Sequence, residues 1–352
     1  MKITKIDKEN KFIAKFNTDN GFYVRSGIIE NGIDTDVDPF MAAYPELIDV
    51  GIMGSCAHAS LCTVGCYQGG IDNQKPNMAL ADYRSIIDQS KGKVFQIALG
   101  GHGDPNKHED FEAILRYTRE NNIVPNYTTS GLLLTNKEVQ LTKEYCGAVA
   151  VSWYRQEHTM TAIDKFLKAG CTTNIHFVLS NKTIDEAIEI LKGRHWADIS
   201  GINAIIFLTH KPVGKGSAND VLDVNDTRLK EFFDLIAKPH PFKVGFDSCT
   251  VPGLVNFADI NFDSVDTCEG ARYSMYISSD MVAVPCSFDQ KHRYGNDLRS
   301  ITIKESWDSP KFSAFRDSMR HSCNGCKQHD ICKSGCPLEP SIVLCNRSER
   351  SR

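Results

Sequence analysis

The chain has neither a long apolar run nor an extended basic segment. None of its 352 residues lie in an uninterrupted apolar stretch of roughly 18, so a transmembrane helix is not expected. The beginning, Met1 to Lys8, alternates charged and apolar residues, unlike the apolar core of a secretory signal peptide. Formal net charge is −4, and basic residues gather only in the short tail 347–352. These absences argue against a nucleic-acid or membrane partner and predict a cytoplasmic protein.

Cysteine is the residue type that stands out. The chain has 13 cysteines, and a reducing compartment disfavours disulfides as their use, so metal ligation is the natural alternative. Three lie close together at positions 56, 62 and 66, and seven more lie beyond residue 267. Cys146, Cys171 and Cys249 stand apart from both groups. The first two adjoin apolar runs and are predicted to be buried thiols.

Apolar runs alternate with helical patterns from residue 47 to about 244. This rhythm predicts a parallel sheet with crossover helices. Six repeats are too few for a closed eight-stranded barrel, so we predict an α/β fold with an open, partial (β/α)6 barrel. The predicted domains are an N-terminal arm with a β-hairpin (1–46), the barrel (47–244) and a cysteine-rich domain (245–352). The predicted barrel strands are 47–53, 94–99, 123–129, 148–152, 174–179 and 202–208.

The first cysteine group follows the first of these strands in a glycine-rich loop. Thiolates of Cys56, Cys62 and Cys66 would hold a four-iron cluster and leave one iron open to a substrate or cofactor. A zinc loop and three unrelated buried thiols are the alternatives, although zinc sites favour paired cysteines.

Two features together resemble the radical SAM enzymes with a C-terminal SPASM domain. One is this cysteine loop, followed by a strand that ends in Gly100-Gly101. The other is a C-x2-C-x5-C-x3-C pattern with one cysteine trailing it and two preceding it. Its residues are Cys323, Cys326, Cys332, Cys336, the trailing Cys345, and the preceding Cys268 and Cys286.

The cysteine loop departs from the family's usual C-x3-C-x2-C spacing, and two registers compete. Counting from Cys62 gives Cys62-x3-Cys66-x2-Gly69, which lacks the third ligand and implies a degenerate site. Counting from Cys56 gives C-x5-C-x3-C, with Tyr67 after the last cysteine as is common in the family. We favour the second register because it supplies three thiolates.

The resemblance implies three [4Fe–4S] clusters and S-adenosyl-L-methionine (SAM). Cys323, Cys326, Cys332 and Cys345 would hold the second auxiliary cluster. Cys268, Cys286 and Cys336 would hold the first, with Cys249 as candidate fourth ligand and an open, substrate-binding iron as the alternative. A zinc ribbon remains an alternative for 323–336. Met281 stands where the family usually has a turn glycine, which is expected to weaken the local turn.

The resemblance also assigns residues to SAM. Gly100 and Gly101 match the motif that holds the SAM amino group, although His102 replaces the usual glutamate and Asp104 could substitute for it. One further SAM candidate, Tyr67, lies in the cysteine loop, and the others lie at other strand ends. They are Ser130, Ser152 with Arg155 as a partner for the SAM carboxylate, and Pro212 and Val213 on the adenine side.

Acid–base candidates are His176, His210, Asp247 and Tyr154, which lie at or near strand ends facing the same mouth. His58, inside the cysteine loop, is a candidate proton carrier.

The function that the resemblance implies is oxidative modification of a ribosomally made peptide. A 5′-deoxyadenosyl radical from reductive SAM cleavage would abstract a hydrogen, and a thioether or C–C cross-link would form. Expected partners are a peptide substrate, a reductant protein such as flavodoxin or ferredoxin, and a separate leader-binding protein, because the N-terminal arm is short. The alternatives are a peptide epimerase, a small-molecule radical SAM dehydrogenase and a non-catalytic iron–sulfur electron carrier.

Overall fold

The computed structural model describes residues 1–19, 21–56, 59, 65–69, 74–320, 323 and 326–346. Within those ranges, no helix combines the length and apolarity that crossing a membrane requires.

Strands and helices alternate through the middle of the chain. The strands are β1 (Lys2–Asp7), β2 (Phe12–Asn17), β3 (Tyr23–Arg25), β4 (Ile29–Glu30), β5 (Ile33–Asp34), β6 (Leu47–Met53), β7 (Gln96–Gly101), β8 (Val124–Thr129), β9 (Val149–Ser152), β10 (Thr173–Leu179), β11 (Ala204–Thr209), β12 (Lys243–Phe246), β13 (Ser274–Ile277), β14 (Val282–Val284) and β15 (Asn296–Asp297). The helices are α1 (Leu80–Ser90), α2 (Phe111–Glu120), α3 (Asn136–Tyr145), α4 (Glu157–Lys168), α5 (Ile184–Leu191), α6 (Arg228–Ile236), α7 (Val251–Phe257), α8 (Ile303–Trp307), α9 (Pro310–Ser318) and α10 (His329–Cys332).

One large sheet organises the described part of the chain. Its strand order is β12-β11-β10-β9-β8-β7-β6-β13-β14-β15, and the pairing is parallel from β12 through to β13. The predicted parallel α/β architecture is therefore confirmed. The structure adds β12 beyond the six predicted strands and α1 between the first two of them.

The two faces of the parallel strands have different chemistry. Residues such as Ile48, Val50, Ile97 and Leu99 are buried on the face that packs against the helices. Many alternate positions on the opposite face are polar and only half-buried, although Val178, Ile206 and Leu208 there are apolar. The polar ones include Asp49, Gln96, Asn126, Thr128, Ser152, Asn174 and His176. This second face, which we call the lumen face, is suited to a polar ligand and not to an apolar core.

The C-terminal region joins the same sheet. Strand β13 pairs in parallel with β6, with Ser274 opposite Leu47 and Ile277 opposite Val50. A turn then returns the chain to β14, and Met281 adopts a left-handed φ of +66° there. Methionine thus occupies the conformation that glycine adopts at no steric cost, and the turn forms nonetheless.

The N-terminal arm is a three-stranded antiparallel sheet, so the predicted hairpin lacked one strand. Strand β1 pairs with β2 over six residues, from Lys2 opposite Asn17 to Asp7 opposite Phe12. No residue of β1 is fully buried, so its sequence carries little of the apolar alternation that signals a strand. The proposed domain limits at 46 and 244 stay predictions.

Arg25 joins this small sheet to the C-terminal region. Its guanidinium lies 2.5 Å from Asp266 and 3.1 Å from Glu269, and it stacks 3.4 Å from the ring centre of Tyr273. Only 13% of the Arg25 side chain is exposed. Asp266 and Glu269 are 39% and 38% exposed, so water compensates part of their charge when Arg25 is removed.

Replacing Arg25 with Met should therefore loosen the N-terminal sheet. We expect a loss of about 1–3 kcal/mol of stability, seen as a lower melting temperature and faster proteolytic cleavage within residues 1–46. Arg84→Met, at an exposed arginine on α1, is the matched control. Equal melting and cleavage for both variants would contradict the role assigned to Arg25.

Candidate cluster and cofactor sites

The glycines after β6 and β7 pack directly on the cysteine loop. Gly101 has φ +116°, and a Cβ there would lie 2.3 Å from the Met53 carbonyl oxygen. A Cβ on Gly103 would lie 2.6 Å from the Ser55 oxygen and 3.3 Å from the Cα of Cys56. Between them, the buried His102 donates its backbone N–H to Met53 at 2.7 Å. The segment predicted to hold the SAM amino group is thus in backbone contact with Cys56.

The loop after β11 packs against the other end of the cysteine loop. Gly214 has φ +63°, and a Cβ there would lie 2.3 Å from the Tyr67 carbonyl oxygen. Lys215 donates its N–H to the Cys66 oxygen at 2.9 Å. The half-buried Pro212 and Val213 precede this contact, so the predicted adenine-side residues lie near Tyr67 along a shared boundary. Cys62 and His58 lie outside the described residues.

Of the other SAM candidates, Asp104 and Ser130 are brought together, whereas Ser152 and Arg155 are not. The Asp104 carboxylate accepts the N–H and hydroxyl of Ser130, at 2.7 and 2.5 Å. Arg155, with a left-handed φ of +62°, instead binds the carboxylate of Glu186. No contact between the side chains of Ser152 and Arg155 is seen among the described residues.

The predicted acid–base residues differ in how far they are already engaged. Burial lowers the pKa of His176 to about 4, although the negative charge of Asp247 acts to raise it. The ring of His176 is therefore neutral near pH 7. Nδ1 of His176 lies 3.3 Å from the Thr128 hydroxyl. The buried His210 places Nε2 2.9 Å from the Ser217 carbonyl oxygen. Tyr154 is half-buried beyond the end of β9.

Asp247 is the most heavily bonded of the four. Its carboxylate accepts the Lys211 ammonium at 2.7 Å, the Thr209 N–H and hydroxyl at 3.2 and 3.1 Å, and the Thr250 hydroxyl at 2.9 Å. All four contacts fix the position of this carboxylate beside Lys211.

Asp49 was missed by the sequence analysis. It lies on the lumen face of β6, and burial raises its pKa to about 7. Its charge acts on Tyr67, Tyr276 and Cys286, which places it between the cysteine loop and the C-terminal region. The signal was a single carboxylate inside the otherwise apolar run 47–53.

Four thiols from separate segments lie near one another: Cys249 follows β12, Cys268 precedes β13, Cys286 follows β14 and Cys336 follows α10. The thiol of Cys249 is hydrogen-bonded to that of Cys336, which with burial raises its pKa well above the ordinary value. The pKa of Cys268 is raised mainly by burial and secondly by the charge of the neighbouring Cys249. The same two causes raise the pKa of Cys286 to about 12. The assignment of these four residues to one site is therefore supported by mutual proximity.

A second set of thiols lies around α10. Burial raises the pKa of Cys332 to about 12, and the charges of Cys345, Cys323 and Cys326 add to the effect. Cys323 also contacts the Ser334 hydroxyl, with 3.4 Å between sulfur and oxygen.

Both sets have the chemistry of cluster ligands. Backbone N–H groups of Gly270, Phe288, Ser334 and Glu339 donate to the sulfurs of Cys268, Cys286, Cys332 and Cys336 respectively. Such bonds stabilise thiolates, and bonds to sulfur also tune cluster potentials. Among the described residues, no three metal-binding side chains converge as a single ion would require. A four-iron cluster instead distributes its thiolates over separate irons.

Burial alone accounts for the two remaining thiols. It raises the pKa of Cys146 and, more weakly, that of Cys171, as predicted for thiols packed against the core.

An aromatic contact connects the cysteine loop with the first thiol set. The rings of Tyr67 and Phe288 lie 4.4 Å apart, each close in sequence to a predicted ligand, Cys66 and Cys286. The Lys211 ammonium lies 4.3 Å from the Phe288 ring centre. Neither Phe288 nor Lys211 was singled out by the sequence analysis, although Lys211 is a charged residue at a predicted strand end.

The chain combines an α/β fold built on a parallel sheet with a C-terminal region that carries both thiol sets. Residues 268–334 match the family model of SPASM, an iron–sulfur cluster-binding domain. A comparison with curated protein sequences found no match.

Solved structures with the same fold include SuiB from Streptococcus suis. The chain superposes on SuiB with a TM-score of 0.72 and 15% identity, over 98% of both chains. It superposes on anSMEcpe with bound AdoMet with a TM-score of 0.66 and 18% identity, over 87% of this chain and 95% of the other. At these identities the likeness establishes the fold.

Cys249→Ala tests the fourth ligand of the first set. We expect the reconstituted protein to lose the corresponding cluster, with iron content falling by roughly four per chain. Cys171→Ala, at a thiol outside both sets, should leave iron unchanged. Full iron content and an unaltered cluster spectrum in Cys249→Ala would show that Cys249 is not a ligand.

Asp49→Asn should change the pH dependence of stability. Unfolded aspartate ionises near pH ~4, whereas Asp49 ionises near pH 7. As pH rises from ~4 to 7, Asp49 loses its proton in the unfolded state before it does so in the folded state. The free energy of unfolding therefore falls over this pH range, by up to ~4 kcal/mol.

The variant should therefore gain more melting temperature over the wild type at about pH 8 than at about pH 5.5, where only about half of the effect has developed. Asp259→Asn, at an exposed aspartate, is the control. The same difference at both pH values would argue that Asp49 is ionised throughout.

Proposed function

We propose that this protein is a radical SAM oxidoreductase that modifies a peptide. The observation that carries the proposal is that the cysteine loop and the first thiol set border the same polar lumen face. Asp49 on that face acts electrostatically on both Tyr67 and Cys286, and Tyr67 stacks on Phe288. A radical generator and an electron acceptor beside one polar face suit the oxidation of a substrate bound there.

Residues of the cysteine loop would hold the SAM-binding cluster, with Cys56, Cys62 and Cys66 as ligands. Gly100 and Gly101 would present backbone groups to the SAM amino group, and Pro212 and Val213 would border the adenine. When bound, the reduced cluster and SAM supply a 5′-deoxyadenosyl radical that abstracts one hydrogen atom from the substrate. The buried walls around Met53 and Gly101 exclude water from this region.

The auxiliary thiol sets favour an oxidative outcome over a redox-neutral one. Cross-linking removes two hydrogens from the substrate: one leaves as an atom, and the other leaves as a proton and an electron. Cys249, Cys268, Cys286 and Cys336 would hold a cluster suited to accept that electron. Asp49, poised near neutrality, is a suitable proton acceptor on the same face.

A peptide is the substrate class that the relatives support. SuiB has been solved with its precursor peptide SuiA, and anSMEcpe with AdoMet and the Cp18Cys peptide. By extension, we propose a ribosomal precursor peptide, a thioether or C–C cross-link as product, a flavodoxin or ferredoxin as reductant and a separate leader-binding protein. A cytoplasmic location accords with such partners.

Anaerobic reconstitution tests the enzyme proposal. The wild type should bind roughly twelve irons per chain, as three four-iron clusters require, and form 5′-deoxyadenosine from SAM and a reductant. Cys56→Ala should lose about four irons and abolish 5′-deoxyadenosine, whereas the matched Cys171→Ala should retain both. Clusters without 5′-deoxyadenosine in the wild type would favour an electron carrier; normal turnover by Cys56→Ala would favour the Cys62 register.

Incubation with a precursor peptide encoded beside the gene tests the reaction type. A cross-link should lower the peptide mass by two hydrogens. Deuterium uptake from heavy water without net oxidation would instead identify an epimerase.

A further inference from the structure

Lys211 is a buried cation whose role the proposed function does not explain. It follows β11, and only 3% of its side chain is exposed. Lysine is almost never fully buried unless it is paired. A buried ammonium at the rim of a candidate active site is therefore a feature that requires a specific partner.

The contacts of Lys211 use part of its hydrogen-bonding capacity. Its Nζ donates to Asp247 at 2.7 Å and to the Thr209 carbonyl oxygen at 3.0 Å, and it lies over the Phe288 ring. An ammonium has three N–H donors. In the described part of the chain, no hydrogen-bond acceptor meets the third, which lies in a region where an unsatisfied donor is costly.

The contacts of Lys211 surround the first thiol set. Asp247 precedes Cys249 by two residues, and Phe288 follows Cys286 by two. The charges of the Cys249 and Cys286 thiols act directly on Lys211. The ammonium thus lies beside two of the four proposed ligands of the first auxiliary cluster.

A charge in this position affects how readily that cluster is reduced. Reduction by a chemical reductant adds one electron to the cluster, with no bond broken and no proton released. In a buried site of low effective dielectric, a neighbouring positive charge stabilises the more negative reduced state, and a neighbouring carboxylate destabilises it. Lys211 and Asp247 therefore act in opposite directions.

We propose that Lys211 is a positioning residue that raises the reduction potential of the first auxiliary cluster by holding its ammonium beside Cys249 and Cys286. The proposal rests on the auxiliary cluster of the proposed function but not on the peptide substrate. It makes the cluster a better electron acceptor, which is the role that oxidative chemistry requires.

An EPR-monitored redox titration of the reconstituted full-length protein, with dithionite as reductant, tests this inference. The first auxiliary signal is identified as the one that Cys268→Ala removes. Lys211→Met, which removes the charge at similar length, should lower its midpoint potential, and Asp247→Asn should raise it. Lys211→Arg should keep the potential near that of the wild type.

Lys243→Met, at an exposed lysine four residues before Asp247, is the matched control and should shift none of the signals. The SAM-binding and second auxiliary signals should keep their potentials in every variant.

Several outcomes would overturn the inference. The inference is wrong if Lys211→Met assembles the cluster and its midpoint potential equals that of the wild type. It is also wrong if Lys211→Arg shifts the potential as much as Lys211→Met does. If Lys211→Met fails to assemble the cluster, Asp247→Asn decides: a raised potential supports the proposal, and an unchanged or lowered one refutes it. If the wild type shows no EPR signal from the first auxiliary cluster, both the proposed cofactor and the proposed role of Lys211 are refuted. If the protein forms no peptide product but the signal is present, the proposed role of Lys211 is unaffected.

Discussion

The parallel pairing of β13 with β6 is the constraint on which both candidate cluster sites depend. Strand β6 leads directly into the segment of Cys56, and the β13–β14 hairpin leads into Cys286. One ladder of backbone hydrogen bonds thereby fixes the two loops relative to each other. The pairing also requires a residue without a side chain at position 51, because a Cβ at Gly51 would lie 2.2 Å from the Tyr276 hydroxyl oxygen. Glycine in β6 makes room for tyrosine in β13.

Electrostatics follows from that arrangement. The lumen face places Asp49 and the thiol sets in surroundings that disfavour negative charge, so burial raises the pKa values of Asp49 and Cys286. Backbone N–H groups and the Lys211–Asp247 pair supply the compensating dipoles and charge. Backbone N–H dipoles are thus directed at the thiols of Cys268 and Cys286, while the Asp49 carboxyl group on the lumen face ionises around neutrality.

The sequence was most informative where function requires a residue type at a fixed spacing. The cysteine pattern identified the SPASM domain, and strand–helix alternation predicted the parallel sheet, since both signals are local. Pairing between distant segments was not predictable: β13 beside β6 leaves no mark in either strand alone. Arg155 illustrates the same limit, because its partner Glu186 comes from the following β/α unit. The candidate SAM and acid–base roles remain predictions.

The unusual spacing of the cysteine loop can be judged from how its two ends are held. At one end, Cys56 lies close to Gly103, two residues after the Gly101 that the family resemblance assigns to SAM; at the other, Cys66 and Tyr67 lie close to Gly214. If the ligands followed the Cys62 register, with Cys62 and Cys66 as ligands and Gly69 in the third position, cluster binding would not require Cys56 to lie close to Gly103. These close contacts at both ends support the Cys56 register, which remains a prediction.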